Sequence, residues 1–326
     1  MSAKQHVLSI LEQNKGNSVS GAKIAKELSI SRNAVWKAIK ALQEDGYAIT
    51  AVPNKGYCLS EKSDILSFES IAPYLTDYLK DLRFTVQKSV TSTNTLLKEL
   101  AAGGEKEGKV LIAEEQTEGR GRFGRKFYSP AKTGIYMSIL LRPKLTIEDS
   151  LFITVSAATA VAEAIEEIAG CEAKIKWVND IYCNNKKVCG ILTEAAVDFE
   201  GGGLEYCIVG IGVNVAKPLE GFPNELKDIA GGIIEDRKYS SDLRSRLAAA
   251  ILNKFWRYYR EFDKKEFMKE YKRRSFLIGR QVTVLAGQKS ENATVLDVDE
   301  KARLVVKFQD GSIRTLSSGE VSIKLQ

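Results

Sequence analysis

The chain is poor in the residues that most often carry chemistry. It has one histidine, His6, in 326 residues. A Ser-His-Asp triad needs an imidazole beside a core serine, and His6 stands in what reads as a frayed N-terminus. Zinc hydrolases of the HExxH type and two-histidine zinc fingers each need a second histidine, so both are excluded. Cysteine is scarce and odd in number: Cys58, Cys171, Cys183, Cys189 and Cys207, with no CxxC pair. That pattern excludes a disulfide framework and a four-cysteine zinc site. No run approaches the about 18 apolar residues that span a bilayer, so no membrane partner is expected. The opening residues lack the apolar core and cleavage site of a secretion signal. These absences predict a reduced, cytoplasmic protein.

What is present fits about two domains, or three if some are small. A hydrophobic content of 44% is ordinary for chains that bury real cores. The net charge is +6, and it is unevenly spread. Residues 1–60 hold eight Lys or Arg against four Asp or Glu. The excess in the first fifth of the chain points to an anionic partner there.

Periodicity divides the chain into four pieces. Residues 1–62 read as three short helices (4–14, Ala22–Leu28 and Arg32–Glu44) and a hairpin (Tyr47–Val52 and Tyr57–Leu59), a winged helix-turn-helix. Ser20 and Ser31 are the expected caps. Residues 63–82 read as a linker with a short helix. Residues 83–276 alternate strands and helices: strands Arg83–Val90, Lys109–Glu115, Gly134–Leu141, Ala173–Val178, Val188–Ala195 and Tyr206–Val215, helices Asn94–Ala102, Ile147–Ala169, Ser240–Phe262 and Glu266–Ser275. Asn184-Asn185 reads as a hairpin turn. The polar stretch Lys217–Lys238 is long for a compact domain and is expected to be functional or mobile. Residues 277–326 read as a small barrel of four short strands with turns at Gly287, Asp299 and Asp310-Gly311.

Two phosphate-binding signatures nearly match and fail on context. Gly103-x-x-x-x-Gly108-Lys109 continues with Val110, so the magnesium-binding hydroxyl is missing, and a strand follows where a P-loop needs a helix. Gly119-x-Gly121-x-x-Gly124 follows a strand, but another strand is expected after it, so no helix start faces a pyrophosphate. Even so, Gly119 to Arg125 packs three glycines among Arg120, Arg122 and Arg125. Such a loop brings backbone amides and positive charge to an anion.

Three further stretches stand out. Lys176-Trp177-Val178-Asn179-Asp180 precedes Lys187-Val188-Cys189-Gly190-Ile191-Leu192. If 183–186 form a hairpin, Lys187 lies near Asp180. The pair reads either as a structural ion pair or as a lysine aimed at phosphate beside a magnesium-holding aspartate. Ser92-Thr93-Asn94 opens a helix, where capping alone is one explanation. Gly210-Ile211-Gly212-Val213-Asn214 ends a strand, either as a tight turn or as a place where a flat ring approaches the backbone.

In order and spacing, GRGRFGR, KWVND, KVCGIL, GIGVN and STN resemble the biotin–protein ligases. With the winged helix, the chain from about Ser20 onward looks like the bifunctional biotin ligase and biotin operon repressors of bacteria. The resemblance implies an α+β protein: an N-terminal winged helix-turn-helix, a central mixed-sheet catalytic domain shared with lipoate ligases, and a C-terminal SH3-like β-barrel. It implies that Ser92, Thr93, Asn94, Gln116, Arg120, Gly121, Arg122 and Lys187 bind biotin. Gly119, Arg122, Asn179, Lys187 and Asn214 would meet the nucleotide. Lys187, Arg122 and Asp180 would be catalytic, with Asp180 also on Mg2+. The chain departs from the family at Val178, commonly Pro, at Phe127, commonly Trp, and in 216–238, where it has no Trp.

The implied reaction uses ATP to form biotinyl-5′-adenylate and then passes biotin to a lysine of a biotin carboxyl carrier domain, as a biotin–[acetyl-CoA-carboxylase] ligase. On the DNA side, Ser31, Arg32, Asn33, Trp36, Lys37, Lys40 and Lys55 are positioned for a groove or phosphates. Trp36 has packing against the wing as its alternative. One winged helix reads few bases, so a homodimer on an inverted-repeat operator is expected, with biotinyl-5′-AMP as corepressor. A sensor without transferase activity would be expected to lack Lys187 or the arginine loop. A ligase for lipoate would not need the Ser92, Thr93 and Gln116 set.

Overall fold

Serines start the helices of the N-terminal piece. Ser2, Ser20 and Ser31 each accept a hydrogen bond from the amide three residues on, satisfying one of the unpaired donors of a helix start. They open α1 (Ala3–Gln13), α2 (Gly21–Leu28) and α3 (Arg32–Glu44). His6 lies inside α1, which a reciprocal Ser2–Gln5 box holds from its first turn, so the expected loose terminus is not found. The apolar stripes read from the sequence are buried together: Val7, Leu8, Ile10 and Leu11 of α1 with Val35, Ala38, Ile39 and Leu42 of α3. The hairpin is β2 (Ile49–Val52) and β3 (Gly56–Leu59), and a two-residue strand β1 (Ser18–Val19), missed in the sequence, adds to it in the order β1-β3-β2.

A computed structural model describes residues 2–197, 202–235, 239–286, 289–317 and 320–323. The chain forms two units, Met1–Lys80 with Lys238–Ala249, and Asp81–Arg237 with Ala250–Gln326. Most of the stretch read as a linker thus belongs to the first unit. It carries α4 (Phe68–Ile71) and buries Leu66, Ile71, Leu75 and Leu79. Its anchor is Asp64. The Arg244 side chain, 0% exposed, donates its Nε–H to Asp64 Oδ1 and Oδ2 at 3.0 Å and a terminal N–H to the Asp64 carbonyl. Tyr74 donates to Asp242 at 3.0 Å, and Ser245 and Ser70 hydroxyls meet at 2.9 Å.

The second unit is built on a seven-stranded mixed sheet ordered β4-β5-β6-β10-β9-β8-β7. Its strands are β4 (Arg83–Val90), β5 (Lys109–Gln116), β6 (Gly134–Leu141), β7 (Lys174–Lys176), β8 (Asp180–Cys183), β9 (Lys186–Val197) and β10 (Leu204–Asn214). Only the β4–β5 pair is parallel. β6 is buried at every residue, as its largely apolar sequence, interrupted by Ser138, suits. The single strand expected over Ala173–Val178 is shorter because the chain turns at Trp177–Asn179 and returns as β8. Helix α5 (Thr93–Ala102) is capped by Ser92, and α6 (Ser150–Ala169) buries almost every residue from Phe152 to Ile165. Helix α7 (Leu243–Arg260) and α8 (Phe267–Arg274) follow.

The C-terminal SH3-like piece is a five-stranded antiparallel sheet, ordered β14-β13-β12-β11-β15. It comprises β11 (Gln281–Ala286), β12 (Lys289–Val298), β13 (Leu304–Phe308), β14 (Ile313–Leu316) and β15 (Glu320–Ile323). The fifth strand was not read from the sequence, and the turn expected at Gly287 lies outside the described residues. Among the described residues no helix is long and apolar enough to cross a membrane.

Removing one partner of a buried ion pair strands the other. Arg244→Ala is expected to destabilise the first unit by about 3 kcal/mol, read as a lower urea midpoint of its unfolding transition. An unchanged midpoint would mean that Asp64 is held by other contacts.

Candidate active site and nucleic-acid interface

Alternation along a strand puts every second side chain on one face, so Lys187 and Gly190 of β9 should face opposite ways. They do not. Asp180 pairs with Gly190 and Ile181 with Cys189, but Tyr182 pairs with Lys187, so β9 carries one extra residue, Val188. This bulge buries Val188 and Cys189 in succession and turns Lys187 over Gly190. Lys187 Nζ then lies 2.6 Å from Asp180 Oδ1. The hairpin needed for that meeting is present: Asn184 and Asn185 both have positive φ, 48° and 59°, and Cys183 pairs with Lys186. Burial pushes the neighbouring Cys189 thiol far up, against the pull of Lys187, so it is no thiolate nucleophile.

The KWVND segment is clamped from behind. Trp177 donates its indole N–H to Ala302 of the C-terminal sheet at 2.9 Å, and Tyr271 donates to the Val178 carbonyl at 3.1 Å. Burial raises the Tyr271 phenol far above its usual range and keeps it a donor. Asn179 gives its amide to the Ile191 carbonyl at 2.9 Å and accepts from Arg122 at 3.1 Å.

Arg122 comes from the glycine–arginine loop. The next strand after this loop is β6, and no α-helix starts between them, as the sequence led us to expect. The Gly121 amide donates to the Arg125 carbonyl, closing a tight turn, and only isolated pairings, Arg120 with Lys126 and Gln116 with Ser129, continue the ladder. Phe123 at the tip has a φ of 56° and is exposed, with the Arg122 guanidinium 5.0 Å from its ring. At the base, Phe127 lies on β10. A Cβ at Gly212 would stand 2.6 Å from its ring, and one at Gly210 would stand 2.1 Å from Asn94 Oδ1. The flat ring that GIGVN admits in this structure is thus a side chain of the protein.

The start of α5 is a closed polar network. Thr93 gives its amide and its hydroxyl to Gln116 Oε1, at 2.9 and 3.1 Å, and Gln116 donates to Ser129 at 3.0 Å. Ser138 Oγ lies 2.7 Å from both Thr93 Oγ1 and Asn94 Oδ1. Asn94 gives its amide to the Leu192 carbonyl and to Glu194 at 2.9 Å. Ser138 and Glu194 were missed in the sequence. Glu194 shares a strand face with Gly190 and Leu192, a period-two signal that could have found it.

Many of these groups surround one cavity of about 1530 Å3. Ser92, Thr93, Asn94, Gln116, Gly119, Arg120, Gly121, Arg122, Asn179, Asp180, Lys187 and Asn214 all line it. The long loop forms another side. It is tied to β9 by Lys187 N–H to the Ile229 carbonyl at 2.8 Å and Gly231 N–H to the Lys187 carbonyl at 2.9 Å. Residues 236–238 of that loop lie outside the described residues.

In the first unit, Ser31, Arg32, Asn33, Trp36, Lys37, Lys40 and Lys55 are all exposed. Trp36 is 49% exposed, so packing against the wing does not absorb it.

Known proteins share this arrangement. The family model "Biotin/lipoate A/B protein ligase family" matches residues 86–214, an "HTH domain" model 4–58, and "Biotin protein ligase C terminal domain" 277–324. The "Bifunctional ligase/repressor BirA" of Bacillus spizizenii is 34% identical over 98% of both chains. That of Bacillus subtilis is 37% identical over 79% of each. The biotin protein ligase of Aquifex aeolicus, solved with biotin and ATP, is 30% identical and superposes with a TM-score of 0.61 over 75% of this chain and 99% of its own. The chain therefore belongs to the biotin/lipoate A/B protein ligase family, among its bifunctional ligase/repressors.

Proposed function

We propose that this chain is an ATP-dependent biotin–protein ligase that also represses transcription in response to biotin. The convergence of the Lys187–Asp180 pair and the Arg122–Asn179 bond on one cavity, beside the Thr93–Gln116 network, carries the reading.

In the first step a biotin carboxylate oxygen bonds to the α-phosphorus of ATP, and pyrophosphate leaves. The nucleophile is already an anion, so no imidazole is needed. The obstacle is repulsion, about 4 kcal/mol for two unit charges about 4 Å apart at an effective dielectric of about 20. Lys187 would neutralise carboxylate and α-phosphate together, with Arg122 closing on the phosphate from the loop. Asn179 would hold Arg122, while Gly119 and Asn214 would face the nucleotide. Ser92, Thr93 and Gln116 would hold the ureido ring, and Arg120 and Gly121 the carboxylate side. Asn94, its amide already engaged, would act by fixing Thr93 and Ser138. In the second step an acceptor lysine of a carrier domain attacks the acyl carbon, and AMP leaves. Asp180 would orient that amine.

Magnesium would arrive with ATP as part of the substrate. Among the described residues no group of three or more His, Cys, Asp or Glu side chains is placed to hold a metal ion. A single carboxylate, Asp180, suits a magnesium carried mainly by phosphate oxygens.

For the repressor role, the exposed cations of α3 and Lys55 would meet operator DNA. A homodimer on an inverted repeat, promoted by biotinyl-5′-AMP in a reduced cytoplasm, completes the proposal.

Lys187→Ala is expected to slow adenylate formation by about 10²-fold or more, measured as pyrophosphate release. Arg122→Ala is expected to slow formation and speed escape of the adenylate in single-turnover assays with labelled biotin. Wild-type rates for both steps would contradict this account of the loop. Labelled biotin, and not lipoate, is expected to transfer to a carrier domain in the presence of ATP. Footprinting should show more operator protection with biotin plus ATP than without. Equal occupancy would remove the corepressor from the account.

A further inference from the structure

Glu194 accepts two hydrogen bonds and faces a second cation. Asn94 Nδ2 lies 2.9 Å away and Lys98 Nζ 3.2 Å, both from α5, and Arg120 of the glycine–arginine loop reaches it at 3.4 Å. Burial alone would raise its pKa. The hydrogen bonds from Asn94 and Lys98 and the charges of Lys98 and Arg120 outweigh burial and hold it below the usual carboxylate range. The carboxylate is therefore a fixed negative charge through the neutral pH range.

Its position sets what it can do. Glu194 does not line the cavity, whereas Arg120 and Asn94 do. It lies four residues along β9 from Gly190, roughly 13 Å at about 3.3 Å per residue. That is too far to touch a phosphate held at Lys187. Whatever it contributes passes through its partners. Arg120 is the sole one of them on the arginine loop, and its exposed, long side chain is costly to order.

We propose that Glu194 is a positioning residue for biotin capture, which tethers Arg120 and so starts the loop near its ligand-bound path. This rests on the biotin-ligase reading above. Preorganisation of this kind acts on binding and leaves the chemical step alone. Lys98 shares the carboxylate and keeps it anchored to α5, while Arg120, still paired with it, would present its remaining N–H groups to the incoming anion.

The test is steady-state transfer of biotin to a carrier domain by the full chain. Glu194→Gln keeps an oxygen for Asn94 and removes the charge that holds Arg120. A partly exposed pair of this kind contributes up to about 1 kcal/mol, so KM for biotin is expected to rise about threefold to fivefold with kcat unchanged. In an Arg120→Ala background the same substitution should add nothing. An unchanged KM, a matching fall in kcat, or an equal rise in the Arg120→Ala background overturns the proposal. If Glu194→Gln does not fold, Glu194→Asp keeps the charge but withdraws it by one methylene. Its KM should rise less, again at constant kcat, and an unchanged KM overturns the tether. Absence of biotin transfer by the wild-type chain is a different failure, of the ligase reading itself, and takes this proposal with it.

Discussion

One extra residue in β9 governs the candidate site. Without the bulge at Val188, Lys187 and Gly190 would face opposite sides of the sheet. With it, the lysine crosses Gly190, which has no side chain in its way, and meets Asp180. Much else supports this arrangement. The two asparagines at positive φ fix the hairpin, Trp177 and Tyr271 clamp the strand leading into it, and the long loop binds the Lys187 backbone on both sides.

Local chemistry was legible in the sequence, and pairing chemistry was not. Serine caps, the α1 and α3 stripes and the Asn-Asn turn announce themselves over a few residues, and each is found. The bulge was invisible because it exists only as a mismatch between two strands. Glu194 escaped notice because its partners Asn94 and Lys98 lie about a hundred positions away. The GIGVN glycines leave a tight turn and an approaching flat ring both open in the sequence, and in the structure they lie within β10. The structure supplies that ring from Phe127, where the related proteins commonly carry Trp.

The scarcity of histidine and of exposed cysteine agrees with a site made of fixed charges. Cations from two separate segments approach one place, each held by a neutral or acidic neighbour: Arg122 by Asn179, Lys187 by Asp180, Arg120 by Glu194. Those neighbours keep like charges apart before any anion is bound. The same logic operates at coarser scale in the charge distribution. The basic surplus of the first 60 residues sits on the exposed face of α3 and the wing, while the arginines of the loop surround the cavity.

Asp64 and Arg244 stand 180 residues apart in the chain yet belong to one unit. Domains made on a ribosome commonly finish folding in the order they emerge. Here the helix-turn-helix piece appears first, but the buried arginine that neutralises its anchor Asp64 is translated only after the whole seven-stranded sheet. The N-terminal unit is therefore completed only after the seven-stranded sheet has been made. A fragment cut after Lys80 would carry all the exposed α3 and wing cations proposed to meet DNA and still lack its own final counter-ion, so the boundary of this unit is not a point on the sequence.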